Sequence, residues 1–256
     1  MSFRLSFCVA IALPLFADEV VRVPVLVELF TSQGCSSCPA ADEVLSRLAS
    51  QQPFQNAEII VLSEHVDYWN QLGWRDPYAE HQYTLRQQEY SSLFKQRGVY
   101  TPQMVINGRV ELIGSDERLA RREIQRAASG ESKSANVRLA LKEINKKNVA
   151  IFALTVDHLP QLNENDLPQV WLAITESGIS TPVQAGENSG RTLKHVGVVR
   201  TLVQATEMKR DAPGYSALAK VTLQPSWNRK QLRAVLFVQE KNAKRVLGAT
   251  SVPLEN

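Results

Sequence analysis

Two hydrophobic periods share this chain, and the point where one gives way to the other sets what it can fold into. As far as about residue 130, short apolar runs alternate with stretches of helical spacing. "VPVLVELF" (23 to 30) and "AEIIVLSEHV" (57 to 66) are rich in Val, Leu and Ile with little alternation, as strands covered on both faces are. Between them, "CPAADEVLSRLAS" sets Ala41, Val44, Leu45 and Leu48 on one helical face, with Pro39 in the first turn. A polar, aromatic segment with helical stretches follows as far as Arg97, and then "TPQMVING" and "RVELIG" (101 to 114) read as a hairpin about an Asn-Gly turn. "SDERLARREIQRAAS" (115 to 129) opens on a Ser cap and keeps Leu119, Ile124 and Ala127 near one face. From about Asn136 onward the pattern changes to six or seven segments of alternating apolar and polar residues, such as "VAIFALTVD" and "QLRAVLFVQE", separated by Asn, Lys, Pro and Gly.

The first region thus predicts strand, helix, strand, helix, hairpin, helix, which is the thioredoxin order. The expectation is a thioredoxin-like α/β domain over 18 to 130 and an all-β, antiparallel sandwich-like domain over 136 to 256, with the small polar "ASGESKSA" (128 to 135) as boundary. A chain of 256 residues with 44% hydrophobic content has material for one or two such cores. Its net charge of +3 is small and its Lys and Arg are scattered, so no nucleic-acid partner is expected.

Residues 1 to 17, "MSFRLSFCVAIALPLFA", carry one Arg, then an apolar stretch from Leu5 to Phe16, then Ala17 before Asp18, which is the pattern of a secretory signal peptide. An apolar stretch of about twelve residues containing Pro14 falls short of the roughly twenty that span a membrane. The expected location is periplasmic or secreted, with no stable membrane insertion after cleavage. Cys8 leaves with this segment, so the mature chain keeps Cys35 and Cys38 alone.

Three chemistries fit a C-x-x-C pair. As a staple it closes almost no loop and contributes little entropy. As a zinc site it supplies only half the ligands, and His65, His81, His158 and His195 show no ligand spacing to one another, although two thiolates and His65 suit copper(I). As a redox pair it sits where a helix N-terminus lowers a thiol pKa from about 8.5 into the range of about 3.5 to 7.5. Cys35 is then the nucleophile and Cys38, one turn on, the resolving thiol.

Other candidates surround the pair. Glu28, inside an apolar strand, is a buried carboxylate that can take the resolving proton, or else a paired strand-edge acid. His65 closes the second strand at the sheet edge where Cys35 emerges, and can relay protons or simply be a core histidine. Tyr68, Trp69 and Trp74, with Tyr78, form a substrate wall or pack an insertion. The loop "GENSGRTLKHVGVVR" (186 to 200), with Glu187, Asn188, Arg191 and His195, folds back on the first region, binds a partner, or stands as a solvated hairpin.

The runs "LFTSQGCSSCPAAD", "HVDYWNQLGWRDPY" (65 to 78) and "RGVYTPQMVINGR" (97 to 109) resemble an uncharacterised family of secreted bacterial proteins of thioredoxin-like fold, domain of unknown function 1223. The chain departs from that family at Asn70, where Asp is more usual, which puts a proton-transfer role there in doubt. The resemblance implies the fold and no particular substrate. In the wider thioredoxin-like superfamily a cis-proline loop abuts the C-x-x-C, and Thr101-Pro102 matches it in position, which implies a cis peptide beside an extended substrate. The function expected is an exported thiol-disulfide oxidoreductase, with Cys35, Cys38, Pro102, Glu28 and His65 as catalytic residues and Thr101, Tyr68, Trp69 and Trp74 against substrate. No cofactor is required, and the partners are protein thiols or disulfides of the cell envelope. A copper(I)-handling protein using Cys35, Cys38 and His65, and a non-catalytic envelope adaptor, are the alternatives.

Overall fold

The computed structural model describes residues 22–130 and 134–255. The signal segment with Cys8 lies outside the described residues, as do residues 131–133 of the expected boundary.

The first region forms β1 (Val23–Thr31), α1 (Cys38–Gln51), β2 (Ala57–His65), α2 (His81–Leu93), β3 (Gln103–Ile106), β4 (Val110–Ile113) and α3 (Glu117–Ser129). β1 and β2 are parallel, β3 runs antiparallel to β1, and β4 closes the hairpin. Strand alternation sorts the faces of this sheet. Val25, Val27, Leu29 and Ile59 meet α1 and α3, whereas Leu26, Phe30, Ile60 and Leu62 point toward α2.

Among the described residues the regular elements of the second region are strands apart from one short 3₁₀ turn: β5 (Asn136–Ile144), β6 (Val149–Asp157), β7 (Pro168–Glu176), β8 (Ile179–Pro182), β9 (Thr192–His195), β10 (Val198–Glu207), β11 (Gly214–Thr222), β12 (Leu232–Glu240) and β13 (Val246–Pro253). It is not a separate sandwich. One mixed sheet of eight strands runs β13-β12-β7-β10-β2-β1-β3-β4, so the expected succession of a helix-flanked thioredoxin-like domain and an all-β domain is replaced by one sheet that crosses both regions. The joint is β10 against β2: Val198 pairs with Ser63 in parallel register, and Ser63 N–H donates to Gly197 C=O at 2.8 Å. Tyr83 of α2 reinforces it by donating its hydroxyl to Val199 C=O at 2.9 Å.

Alternation reports which face of a strand is buried and says nothing of which strand lies beside it, hence the error. β7 and β12 are buried along nearly their whole length because they sit mid-sheet, with a layer on each side. One layer is the three-stranded sheet β11-β6-β5, whose central β6 buries every second residue, with Phe152 and Leu154 packed on Leu172 and Leu236. A separate two-stranded ribbon, β8-β9, projects from the same region.

The hairpin turn at Asn107-Gly108 is a second joint. Both residues have positive φ, 48° and 65°. Asn107 exchanges bonds with Leu26 of β1 and accepts Val246 N–H of β13 at 3.0 Å, and a Cβ on Gly108 would run into the Lys244 carbonyl. Gly108→Ala therefore combines left-handed strain with a backbone clash and should cost about 2 kcal/mol, read as a lower urea midpoint. Because one sheet joins the regions, tryptophan fluorescence and far-ultraviolet dichroism should follow a single coincident transition; two separated transitions would contradict the joint.

Candidate functional site

β1 and β2 end together, with Thr31 paired to His65, so the loops leaving the two strands are delivered to one edge of the sheet. After Thr31 the chain turns tightly: Gly34 N–H donates to Ser32 Oγ at 3.1 Å and Cys35 N–H to Ser32 C=O at 3.2 Å. Gly34 is needed because Trp69 lies against it, with Trp69 Cβ 3.3 Å from where a side chain would begin. Cys38 N–H then donates to Cys35 C=O at 3.2 Å, and α1 starts at Cys38 with Pro39 in its first turn. Cys35 and Cys38 are joined as a disulfide, with Cα atoms 5.4 Å apart.

Both cysteines are fully buried, at 0% exposure, although Ser36 and Ser37 between them are exposed. The loop between β8 and β9 covers them. Asn188 Nδ2 donates to Gln33 C=O at 3.0 Å and to Cys35 C=O at 2.9 Å, and its own carbonyl accepts from Arg191 at 2.8 Å. Glu187 accepts Ser36 N–H at 2.9 Å, and bonds from the Ser36 side chain and backbone hold its carboxyl below the usual range. The loop for which a solvated hairpin was the ordinary expectation is thus the roof of the C-x-x-C.

A buried polar cluster lies on the α1 side of the sheet. His65 Nδ1 meets Asp76 Oδ2 at 2.7 Å, and Asp76 also accepts Gln33 N–H at 2.8 Å and Tyr78 N–H at 2.9 Å. Asn70 supports this arrangement by accepting Asp76 N–H at 3.0 Å. Burial alone would push the His65 pKa down, but the Asp76 carboxylate outweighs it and the pKa stands above 6.5. Burial would likewise raise Asp76, but His65 and the donated bonds hold its pKa below 3.8. His195, from β9, stands with its ring 4.9 Å from that of His65. Trp74 Nε1–H donates to Gln33 Oε1 at 3.0 Å, which turns the Gln33 amide nitrogen toward His195 Nε2 at 3.2 Å. His195 Nε2 must accept that bond, so the ring proton sits on Nδ1, 3.6 Å from Asp42 Oδ2.

The other candidates divide. The Thr101–Pro102 peptide is cis; Trp69 Nε1–H donates to Thr101 Oγ1 at 2.8 Å, and Pro102 and Ala41 both line the space in front of Gly114, which sets the proline beside the first turns of α1. Trp69 and Trp74 therefore brace the turn and its roof. Tyr68 packs with Phe30 and Tyr90 on the α2 side and donates to Gln87 at 3.2 Å. Glu28 also points to that side, away from α1: Arg86 Nε donates to it at 2.7 Å and the Tyr90 hydroxyl at 2.6 Å. Its expected part in handling the Cys38 proton is corrected accordingly, since strand alternation turns it to the wrong face. Burial pushes the neighbouring Glu64 well above the usual range against the pull of Arg86, so the two acids share one cation. In the disulfide form Cys35, Cys38 and His65 are not arranged as a copper set: the sulfurs are bonded to each other, His65 faces Asp76, and no group of three or more His, Cys, Asp or Glu among the described residues is arranged to hold a metal ion. Sequence reasoning missed Asp42, one helical turn beyond Cys38, and Asp76, although both stand inside the motif runs around the C-x-x-C and after His65.

A family model described as "Protein of unknown function (DUF1223)" matches residues 26–239. The chain belongs to this family. No curated protein matches it. A protein of Agrobacterium tumefaciens, solved by X-ray crystallography as a structural genomics target, is similar to this DUF1223 chain at 25% identity and a TM-score of 0.68, covering 92% of this chain and 96% of that one. The likeness extends through both regions.

The roof and the cluster each generate an expected outcome. Asn188→Ala removes both bonds to the turn, worth about 1 kcal/mol each, together with the one accepted from Arg191, so reduction of the disulfide by a small dithiol should quicken about 5- to 30-fold; an unchanged rate would mean that the loop does not limit access. The raised His65 pKa contributes stability that is complete below the unfolded value of 6.5 and fades as pH rises through the folded value. The matching Asp76 contribution is present above 3.8 and is lost as pH falls through its own depressed value. Thermal denaturation across pH should show Asp76→Asn losing the alkaline decline that the wild type displays.

Proposed function

We propose that this chain is an exported thiol-disulfide oxidoreductase acting on protein thiols of the cell envelope. The observation that carries the reading is the Cys35–Cys38 bond in the turn that feeds a helix, formed by the only cysteines among the described residues. A client thiolate attacks Cys35 Sγ, the bond to Cys38 breaks, and Cys38 leaves as a thiolate. A second client thiolate then attacks the client sulfur held on Cys35, which is released. The client dithiol has lost two electrons and the pair has gained them; the reverse sequence oxidises the pair. The start of α1 favours an anionic sulfur at its mouth, and this supports Cys35 as the attacked and attacking atom. Pro102, beside that helix start, supports a groove in which an extended client segment lies against Thr101 and Pro102. Trp69 and Trp74 would back this groove and the roof that has to move when the client arrives. Export rests on the leader at 1 to 17. No helix among the described residues is long and apolar enough to cross a membrane.

The full burial of both sulfurs favours a second reading, a non-catalytic envelope adaptor with an inert disulfide. Cys38→Ala in cells separates the two. The oxidoreductase reading expects Cys35 of this variant to accumulate envelope proteins as mixed disulfides that vanish on adding a reductant. An empty Cys35, with client binding unaffected when both cysteines are replaced, supports the adaptor and overturns the enzyme.

A further inference from the structure

Asp42 is 5% exposed, and neither of its carboxylate oxygens has a hydrogen-bond partner among the described residues. A buried carboxylate without donors is costly, and one observed in a folded chain calls for an explanation, of which a catalytic role is one. Its position suggests which. Asp42 lies four residues after Cys38 on α1, the spacing that sets two side chains one above the other on a helix face. In the disulfide form Cys38 has no proton to donate, and on reduction it gains one. His195 Nδ1 and His65 Nε2, also buried and unbonded, belong to the same cluster, the former 3.6 Å from Asp42.

We propose that Asp42 is the proton acceptor for the Cys38 thiol, and that His195, delivered by the β8–β9 ribbon of the second region, is its positioning residue. The inference rests on the oxidoreductase reading and names the residue that reading lacked once Glu28 was found on the other face. When Cys38 attacks a mixed disulfide on Cys35, its S–H proton passes to Asp42, the sulfur–sulfur bond to Cys38 forms, and the client leaves as a thiolate. When a client thiolate opens the disulfide, the proton returns from Asp42 to the departing Cys38 sulfur. His195, with its proton directed at Asp42 by the Trp74–Gln33 chain, stabilises the charged carboxylate while it waits. The ionisable groups around Asp42 are His195 from β9 and His65 from β2, with Asp76 and Arg200 acting on His65 from the next layer.

The test uses the full reduced chain and dithionitrobenzoate. Capture of Cys35 releases a first thionitrobenzoate, and attack by Cys38 on that mixed disulfide releases a second. In the wild type the second release should stay nearly constant as pH falls below the ordinary thiol value. In Asp42→Asn it should slow about tenfold for each pH unit below about 8.5, with the first release unchanged. His195→Gln should give an intermediate profile. An Asp42→Asn profile that superimposes on the wild type overturns this inference and leaves the oxidoreductase reading standing, whereas a wild-type chain that never makes the second release overturns both. A second measurement needs no variant: the redox-difference infrared spectrum of protein carrying isotope-labelled aspartate should contain an aspartate carboxyl band that shifts on reduction. A spectrum without one counts against Asp42.

Discussion

The contact on which the site depends is the pair of bonds from Asn188 to the carbonyls of Gln33 and Cys35. These carbonyls belong to the turn before the helix, where the Cys35 carbonyl otherwise accepts only from Cys38 N–H, and the partner comes from more than a hundred and fifty residues away. That reach is possible only because the sheet continues from β2 into β10. Once Gly197 and Val198 are seated on Ser63, the ribbon just before them has no choice but to lie over the start of α1. The joint between the regions and the cover on the disulfide are therefore one structural decision.

Two clusters of buried charge lie on opposite faces of that sheet. On the α2 side, Arg86 is held among Glu28, Glu64, Tyr90 and Gln239 and lies over the rings of Tyr90, Trp171 and Phe237. Its Nε and Nη2 have partners and it ties α2 to β1 and β12; such a cluster is a clasp. On the α1 side, the histidine cluster keeps Asp42, His65 and His195 with unused atoms beside a redox-capable bond. Glu64 on the α2 side also keeps unbonded carboxylate oxygens, so what sets the α1 cluster apart is its place beside the start of the helix that carries Cys38.

Much of the first region was legible because its signals are local. The Asn-Gly turn, the helical face of Ala41, Val44, Leu45 and Leu48, and the two buried strands each arise from a few adjacent residues. The strands of the second region were legible too, but their partners were not, since the period of β10 is silent about its lying beside β2. The same gap hid the site. Gln33, Asp42 and Asp76 were in plain view in the motifs, yet what makes them a unit is His195, whose arrival depends on long-range pairing. Glu28 misled for the complementary reason: its place in an apolar strand was read correctly, and the face on which it would be buried was not weighed against the helix side.

The proposed mechanism requires a Cys35 sulfur that rests as an anion in the reduced chain, ready to exchange. The most direct measurement is the ultraviolet thiolate absorbance of the reduced protein through a pH titration. The expected result is one thiolate persisting well below the free-thiol value of about 8.5, and lost when Cys35 is replaced by Ser. Two sulfurs that both titrate near that value would contradict it.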